Sequence, residues 1–100
     1  MEKITNTGFY VNDWMEKQLA NMETNITDAL THTIKKAGEN GLTFFPKNKE
    51  WKDLPNRKQT QRPLTESDRN LLSEIGEEYN INRSRLITLM LLDYCKNGSK

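Results

Sequence analysis

The side chains with the clearest chemistry in this sequence are basic ones near its middle. Residues 47–62 include six basic and two acidic residues, a local charge of +4, whereas the whole chain has a formal net charge of +1. The rest of the chain therefore carries −3, and positive charge is concentrated in one segment. Such a segment favours contact with an anionic partner. Its basic residues are Lys47, Lys49, Lys52, Arg57, Lys58 and Arg62.

Residue types that usually perform catalysis or hold metals are scarce. The chain has one histidine, His32, and one cysteine, Cys95, so a zinc site built from these types is not expected. Its five glycines are scattered and form no phosphate-binding loop. We therefore predict that the chain is not an enzyme and that it has no catalytic residues, no metal and no cofactor.

The composition is that of a small polar protein. Hydrophobic residues make up 34% of the chain and charged residues 29%, and the mean hydropathy is −0.89. A single cysteine excludes an intramolecular disulfide, which small secreted chains usually need, so we expect a cytoplasmic location. The most apolar stretch, residues 86–92, is too short to span a bilayer, so no membrane association is expected.

The elements that must position the basic segment begin with a helical region before residue 41. From Asn12, a candidate N-cap, apolar residues recur every three or four positions as far as Ala29. A second candidate cap within residues 24–28 leaves open whether this is one helix or two, and the helical pattern is expected to stop between Gly38 and Gly41. Residues 9–11, before this region, are interpreted as a short strand or an anchoring arm.

Residues 42–54 indicate a small β-hairpin. Phe44 and Phe45 favour a strand, and Pro46 and Asn48 suit a turn. The sequence shows no internal repeat that would relate this part of the chain to the rest.

The last third of the chain carries the strongest helix signals. Thr65 is a candidate N-cap with Asp68 three residues further on, and the helix that follows has one apolar face. Asn80 is expected to end this helix, because asparagine tolerates the left-handed conformation. Asn82 is expected to cap a second helix that runs to about Lys96 and is closed by residues 97–98.

The second of these helices is apolar around nearly its whole circumference, so it must be buried on all sides. The helix before it offers only one face. The rest of the cover is either the N-terminal half of the chain or a second copy of it, and we prefer the second copy and predict a homodimer. The residues predicted to form the dimer contact are Leu86, Leu89, Met90 and Leu92.

Residues 64–98 resemble the ribbon-helix-helix DNA-binding family. The shared features are a capped start, a short amphipathic helix, a turn at Asn80, a polar and basic cap at residues 82–85, and a final apolar helix. The resemblance covers about the last 40 residues. It implies a strand from Lys58 to Leu64 that pairs with its symmetry mate and lies in the DNA major groove.

The resemblance also assigns the contacts with DNA. With Leu64 pointing inward, alternation directs Gln59 and Gln61 outward to read bases, and Thr60 and Arg62 inward. Independently of the resemblance, the local charge of +4 in residues 47–62 assigns the basic residues Lys58 and Arg62 to the nucleic-acid surface. The start of the last helix either binds a phosphate through its N–H groups and positive charge, or is merely capped, with its arginines solvated. The residues at that start are Asn82, Arg83, Ser84 and Arg85.

The predicted fold class is mainly α: a C-terminal ribbon-helix-helix-like helical hairpin, preceded by an N-terminal helical region and a possible small β-hairpin. Residues 1–57 are expected to form the N-terminal region, with that hairpin and a basic linker. Residues 58–100 are expected to form the region for DNA binding and dimerisation.

The function that follows is sequence-specific binding of double-stranded DNA by a homodimer, as a transcriptional repressor or in plasmid or phage maintenance or conjugative transfer. One alternative is a winged helix-turn-helix protein, in which residues 42–54 form the wing and Lys47 and Lys49 lie at its tip. Another alternative is a protein-binding inhibitor or adaptor that does not contact DNA, which the near-zero net charge favours.

Overall fold

The structure, a computed structural model, describes residues 2–97. Helices account for 61% of the described residues and strands for 17%, so the fold is α/β and the predicted mainly-α class is wrong. The first strand accounts for part of the difference, because only residues 9–11 were interpreted as a short strand or an anchoring arm, while residues 1–57 as a whole were expected to form a helical region with a possible hairpin. In chain order the elements are β1 (Ile4–Val11), α1 (Asp13–Asn21), α2 (Ile26–Asn40), α3 (Asn48–Asp53), β2 (Lys58–Thr65), α4 (Glu66–Tyr79) and α5 (Arg83–Asn97).

The sheet pairs two strands that are far apart in the chain. β1 and β2 run antiparallel, with Ile4 opposite Thr65 and Val11 opposite Lys58. The strand predicted to begin at Lys58 is confirmed, but its partner is β1 of the same chain and not a symmetry mate. The boundary expected between residues 57 and 58 falls where β2 begins, and the segments on its two sides share this sheet.

Residues 42–54 do not form the predicted hairpin. This stretch contains helix α3 and no strand. Lysine and glutamate favour a helix more than a strand, and no alternating apolar run follows Phe45 with which a strand at Phe44 could pair. The proposed wing residues therefore sit elsewhere: Lys47 is the N-cap position of α3 and Lys49 lies in its first turn.

Each strand leads into a pair of capped helices, β1 into α1 and α2, and β2 into α4 and α5. Within each pair the chain turns through a residue with positive φ, Glu23 at 58° and Asn80 at 56°. The strand-helix-helix order thus occurs twice, although the sequence shows no repeat. The predicted caps are confirmed, and each cap oxygen accepts the N–H three residues further on. The cap residues are Asn12, Asn25, Thr65 and Asn82.

Helix α5 lies at the centre of the core, where it packs against β1 and the other four helices of the described chain. Leu86, Ile87 and Leu91 are fully buried there. The predicted burial of this helix on all sides is confirmed, but the cover comes from the same chain. Burial of α5 therefore gives no support to a homodimer. Gly98, the expected end of the helix, lies outside the described residues.

The sheet covers this core with one face only. Phe9 and Val11 of β1 and Leu64 of β2 are buried and belong to the core cluster. Because side chains alternate along a strand, the residues between them point away from the core. The fold therefore leaves the opposite face of the sheet open to solvent.

Candidate functional site

The candidate site is the outer face of the two-stranded sheet. Gln59 and Gln61 of β2 are exposed, as predicted, whereas Thr60 and Arg62 are half-buried on the other face. From β1, Asn6 is also exposed. The outer face thus carries three carboxamide side chains, each of which presents both a hydrogen-bond donor and an acceptor.

The two strands contribute to this face in equivalent places. Counted back from the caps Asn12 and Thr65, the outer residues lie two, four and six positions earlier in each strand. Gly8 faces Gln61 directly, and each lies four residues before the cap that follows its strand, so this pair marks the centre of the sheet. The outer residues are Asn6, Gly8 and Tyr10 in β1 and Gln59, Gln61 and Pro63 in β2.

The contribution of β1 was missed in the sequence analysis. Only residues 9–11 were considered as a strand, and no binding role was assigned to Asn6, Gly8 or Tyr10. The signal was present, because apolar or small residues at 7, 9 and 11 alternate with the outer residues, which is the pattern of a half-buried strand. Helical periodicity beginning at Asn12 dominated the interpretation of this region.

Two basic residues assigned to the nucleic-acid surface have partners within the chain. The Lys58 ammonium contacts the carboxylates of Asp13, at 3.1 Å, and of Glu16. Hydrogen bonds to Glu16 and then Asp13 raise the pKa of Lys58. Arg62 donates through Nε to the hydroxyl of Thr27 at 2.9 Å and so ties β2 to the start of α2. Lys58 is therefore paired with carboxylates of α1, and Arg62 has a positioning role.

The start of α5 is the most cationic helix start in the described chain. Asn82 accepts the Arg85 N–H at 2.9 Å, as an N-cap does. Arg83 donates to the hydroxyl of Ser73 at 3.1 Å, and its burial, together with nearby Arg69, lowers its pKa. The equivalent start of α2 instead has an acidic residue in its first turn. The first N–H groups of a helix lack partners within it, so the start of α5 is suited to an anion.

The residues predicted to form a dimer contact are inaccessible in the single chain. Their exposed fractions are between 0% and 4%, and they pack inside the core described above. A dimer contact through them would require the chain to open. These residues are Leu86, Leu89, Met90 and Leu92.

The remaining side chains that could be reactive or bind a metal, those of Cys95 and His32, are not part of the outer face of the sheet. Cys95 is buried, and this burial raises the pKa of its thiol to about 11. The His32 ring lies 5.5 Å from that of Tyr94. Within residues 2–97, no group of three or more histidine, cysteine or acidic side chains is placed to hold a metal ion. The expectation that the chain is not an enzyme stays a prediction.

None of the helices between residues 2 and 97 combines the length and the apolar character that crossing a membrane requires. In comparisons with known proteins, no family model, no curated protein and no solved structure matches the chain.

Proposed function

We propose that this chain binds double-stranded DNA sequence-specifically, with the outer face of the β1–β2 sheet in the major groove. The observation that carries the proposal is a two-stranded sheet whose inner face is buried while its outer face exposes three carboxamides. The major groove, about 12 Å wide, admits a two-stranded ribbon. Asparagine and glutamine can contact adenine through a donor and an acceptor at once. The proposed base-reading residues are Asn6, Gln59 and Gln61.

The charge next to the sheet supports the same orientation. The start of α5 brings Arg83 and Arg85 together with the helix N–H groups, and Thr88 of the same helix contacts the backbone of β1. A ribbon in a groove has phosphates on both sides, and contacts with them fix position without reading sequence. The start of α5 would therefore bind the DNA backbone while the sheet reads bases.

The resemblance to the ribbon-helix-helix family supports the proposal with one change. In that family two copies each supply one strand, whereas here β1 and β2 come from one chain. We therefore take a single chain as the DNA-binding unit, and the proposal does not need the predicted homodimer. Transcriptional repression, plasmid or phage maintenance and conjugative transfer are the uses that the resemblance implies, in the cytoplasm.

The experiment that tests the proposal is selection of duplexes from a random library, followed by measurement of affinity by fluorescence anisotropy. Removing one base-reading side chain costs about 1–3 kcal/mol of discrimination. Gln61→Ala should therefore weaken binding to the selected site by about that amount and leave random-sequence binding nearly unchanged. Gln18→Ala is the matched control, because it makes the same substitution on α1, which is not part of the sheet.

Two results would refute the proposal. In one, selection yields no preferred sequence and the wild-type protein shows no salt-dependent binding to duplex DNA. In the other, Gln59→Ala and Gln61→Ala leave binding to the selected site unchanged. The first result would favour the protein-binding module. The winged alternative is not proposed, because residues 42–54 form no hairpin.

A further inference from the structure

Two arginines stack on the ring of Trp51. The guanidinium carbon of Arg57 lies 3.8 Å from the ring centroid, and that of Arg85 lies 4.3 Å from it. Trp51 belongs to α3, Arg57 to the segment before β2, and Arg85 to the first turn of α5. Three separate elements thus bring two cations to one aromatic ring. We call Trp51, Arg57 and Arg85 the tryptophan clamp.

Hydrogen bonds fix both guanidinium groups in this position. Arg57 donates through Nη1 to the backbone oxygen of Trp51 at 2.9 Å, and Arg85 donates through Nη1 to the side-chain oxygen of Asn48 at 3.1 Å. A guanidinium group has five N–H donors, so each arginine keeps donors for a ligand. Because the ring and these bonds already order the side chains, binding costs little further conformational entropy.

The charge of the clamp is not neutralised within residues 2–97. No carboxylate oxygen there lies within 4.0 Å of either guanidinium group. The adjacent residue Lys58 shows the contrast, because it contacts two carboxylates. Both arginines of the clamp are therefore without a carboxylate partner in this part of the chain, which suits them to an anion from outside it.

The clamp borders the proposed DNA-reading face. The Tyr10 ring meets the Trp51 ring edge-on, with centroids 6.1 Å apart, and Tyr10 lies opposite Gln59 in the sheet. We propose that the tryptophan clamp binds one phosphodiester group of the DNA backbone, at the edge of the groove that the sheet enters. Arginine suits this role because its planar fork matches phosphate oxygens. This inference rests on the proposed function and adds to it a specific contact with the backbone.

The test measures affinity for a short duplex of random sequence over a series of salt concentrations, since a phosphate contact is independent of sequence. Each phosphate contact contributes about 0.9 to the slope of log K against log salt concentration. Arg57→Ala should therefore lower the slope by about 1. Lys35→Ala is the matched control, because it removes one exposed positive charge from α2, which contributes no residue to the clamp or to the outer face of the sheet, and it should leave the slope unchanged. Thermal unfolding of each variant verifies that it is folded.

A second variant separates the stacking from the charge. Trp51→Leu keeps both arginines but removes the ring, so it should weaken random-sequence binding several-fold at low salt. An unchanged slope in Arg57→Ala, or an equal loss in Lys35→Ala, would overturn the clamp. If the wild-type protein still selects a sequence in that case, only the clamp fails. If the wild-type protein binds no duplex DNA, the proposed function fails with it.

Discussion

The hydroxyl of Thr88, buried in α5, accepts the backbone N–H of Tyr10 at 3.0 Å and lies 2.9 Å from the carbonyl oxygen of the same residue. One side chain of the central helix thus meets both polar backbone groups of Tyr10, a residue of β1. An open strand edge usually leaves these groups to solvent or to another chain. Here Tyr10 is bonded to the helix whose start carries Arg83 and Arg85. These bonds fix the position of the helix start relative to the sheet.

Replacing this hydroxyl by a methyl group should destabilise the fold. Thr88→Val preserves the shape of the side chain but leaves the Tyr10 N–H and carbonyl without their partner. An unsatisfied buried group costs about 1–3 kcal/mol, and we expect the free energy of unfolding in urea to fall by that amount. Thr31→Val is the control: like Thr88, which also lies within bonding distance of the Ser84 carbonyl oxygen, Thr31 bonds through its hydroxyl to the carbonyl oxygen four residues earlier, but Thr31 is exposed. Equal effects of the two substitutions would contradict the role of Thr88.

Replacement of Gly76 by alanine should destabilise the fold, although helix propensity alone favours alanine. Alanine is more favourable than glycine inside a helix by about 1 kcal/mol. A Cβ atom at Gly76, however, would lie 2.5 Å from the backbone oxygen of Ile81, which cannot move independently of the turn into α5. We therefore expect Gly76→Ala to lower the free energy of unfolding by about 1–3 kcal/mol, the usual cost of overpacking.

The control for this prediction is Gly38→Ala in α2. There the added Cβ would meet the end of the Leu71 side chain at 3.3 Å, and that side chain can adjust. Gly38→Ala should leave thermal stability unchanged or raise it. A stabilising effect of Gly76→Ala would contradict this prediction, because it would mean that the turn between α4 and α5 accommodates the added Cβ atom.

The local features of this fold could be predicted from the sequence because their causes are local. A cap such as Asn82 is recognised from its own side chain and the residues that follow it, and the left-handed turn at Asn80 from its residue type. The alternation of β2 also depends only on neighbouring residues, so the outward direction of Gln59 and Gln61 could be derived. The part of the candidate site that β2 contributes could therefore be predicted from the sequence.

The remaining features depend on contacts between distant parts of the chain. β1 becomes a strand through pairing with residues 58–65, and no local signal names that partner. The apolar circumference of α5 required burial on all sides but did not identify what covers it. Lys58 was assigned to the nucleic-acid surface from its charge alone, since its partners, Asp13 and Glu16, lie far from it in sequence and no local signal names them.

The stability of the fold should depend on pH through Cys95 in the alkaline range. Burial raises the pKa of this thiol from an ordinary 9.0 to about 11, so the folded chain holds the proton when the unfolded chain has released it. The contribution is fully present below about pH 9 and is lost as pH rises towards 11. Wild-type protein should therefore lose more stability than Cys95→Ala between these limits, measured by urea unfolding of both proteins. Parallel losses in the two proteins would contradict this prediction.

If the proposed function holds, the DNA site of one chain should lack twofold symmetry. Symmetric operators reflect symmetric proteins. In this sheet, however, the outer residues of β1 and β2 differ at every equivalent position: Asn6 corresponds to Gln59, Gly8 to Gln61 and Tyr10 to Pro63. Duplexes selected from a random library should therefore contain no inverted repeat. A site made symmetric by copying either half should bind less tightly, by about 1–3 kcal/mol for each base pair that no longer matches its reading side chain.

The two ends of the selected site can be assigned separately. Asn6 lies opposite Pro63 and Gln59 lies opposite Tyr10, so these two carboxamides stand at opposite ends of the sheet. Asn6→Ala should relax base preference at one end of the site and Gln59→Ala at the other, as read from repeated selection with each variant. The tryptophan clamp borders Tyr10, so footprinting should find the phosphate protected by Arg57 at the end that Gln59 reads. Relaxation of the same base positions by both variants, or selection of a perfect inverted repeat, would rule out this arrangement of the sheet on DNA.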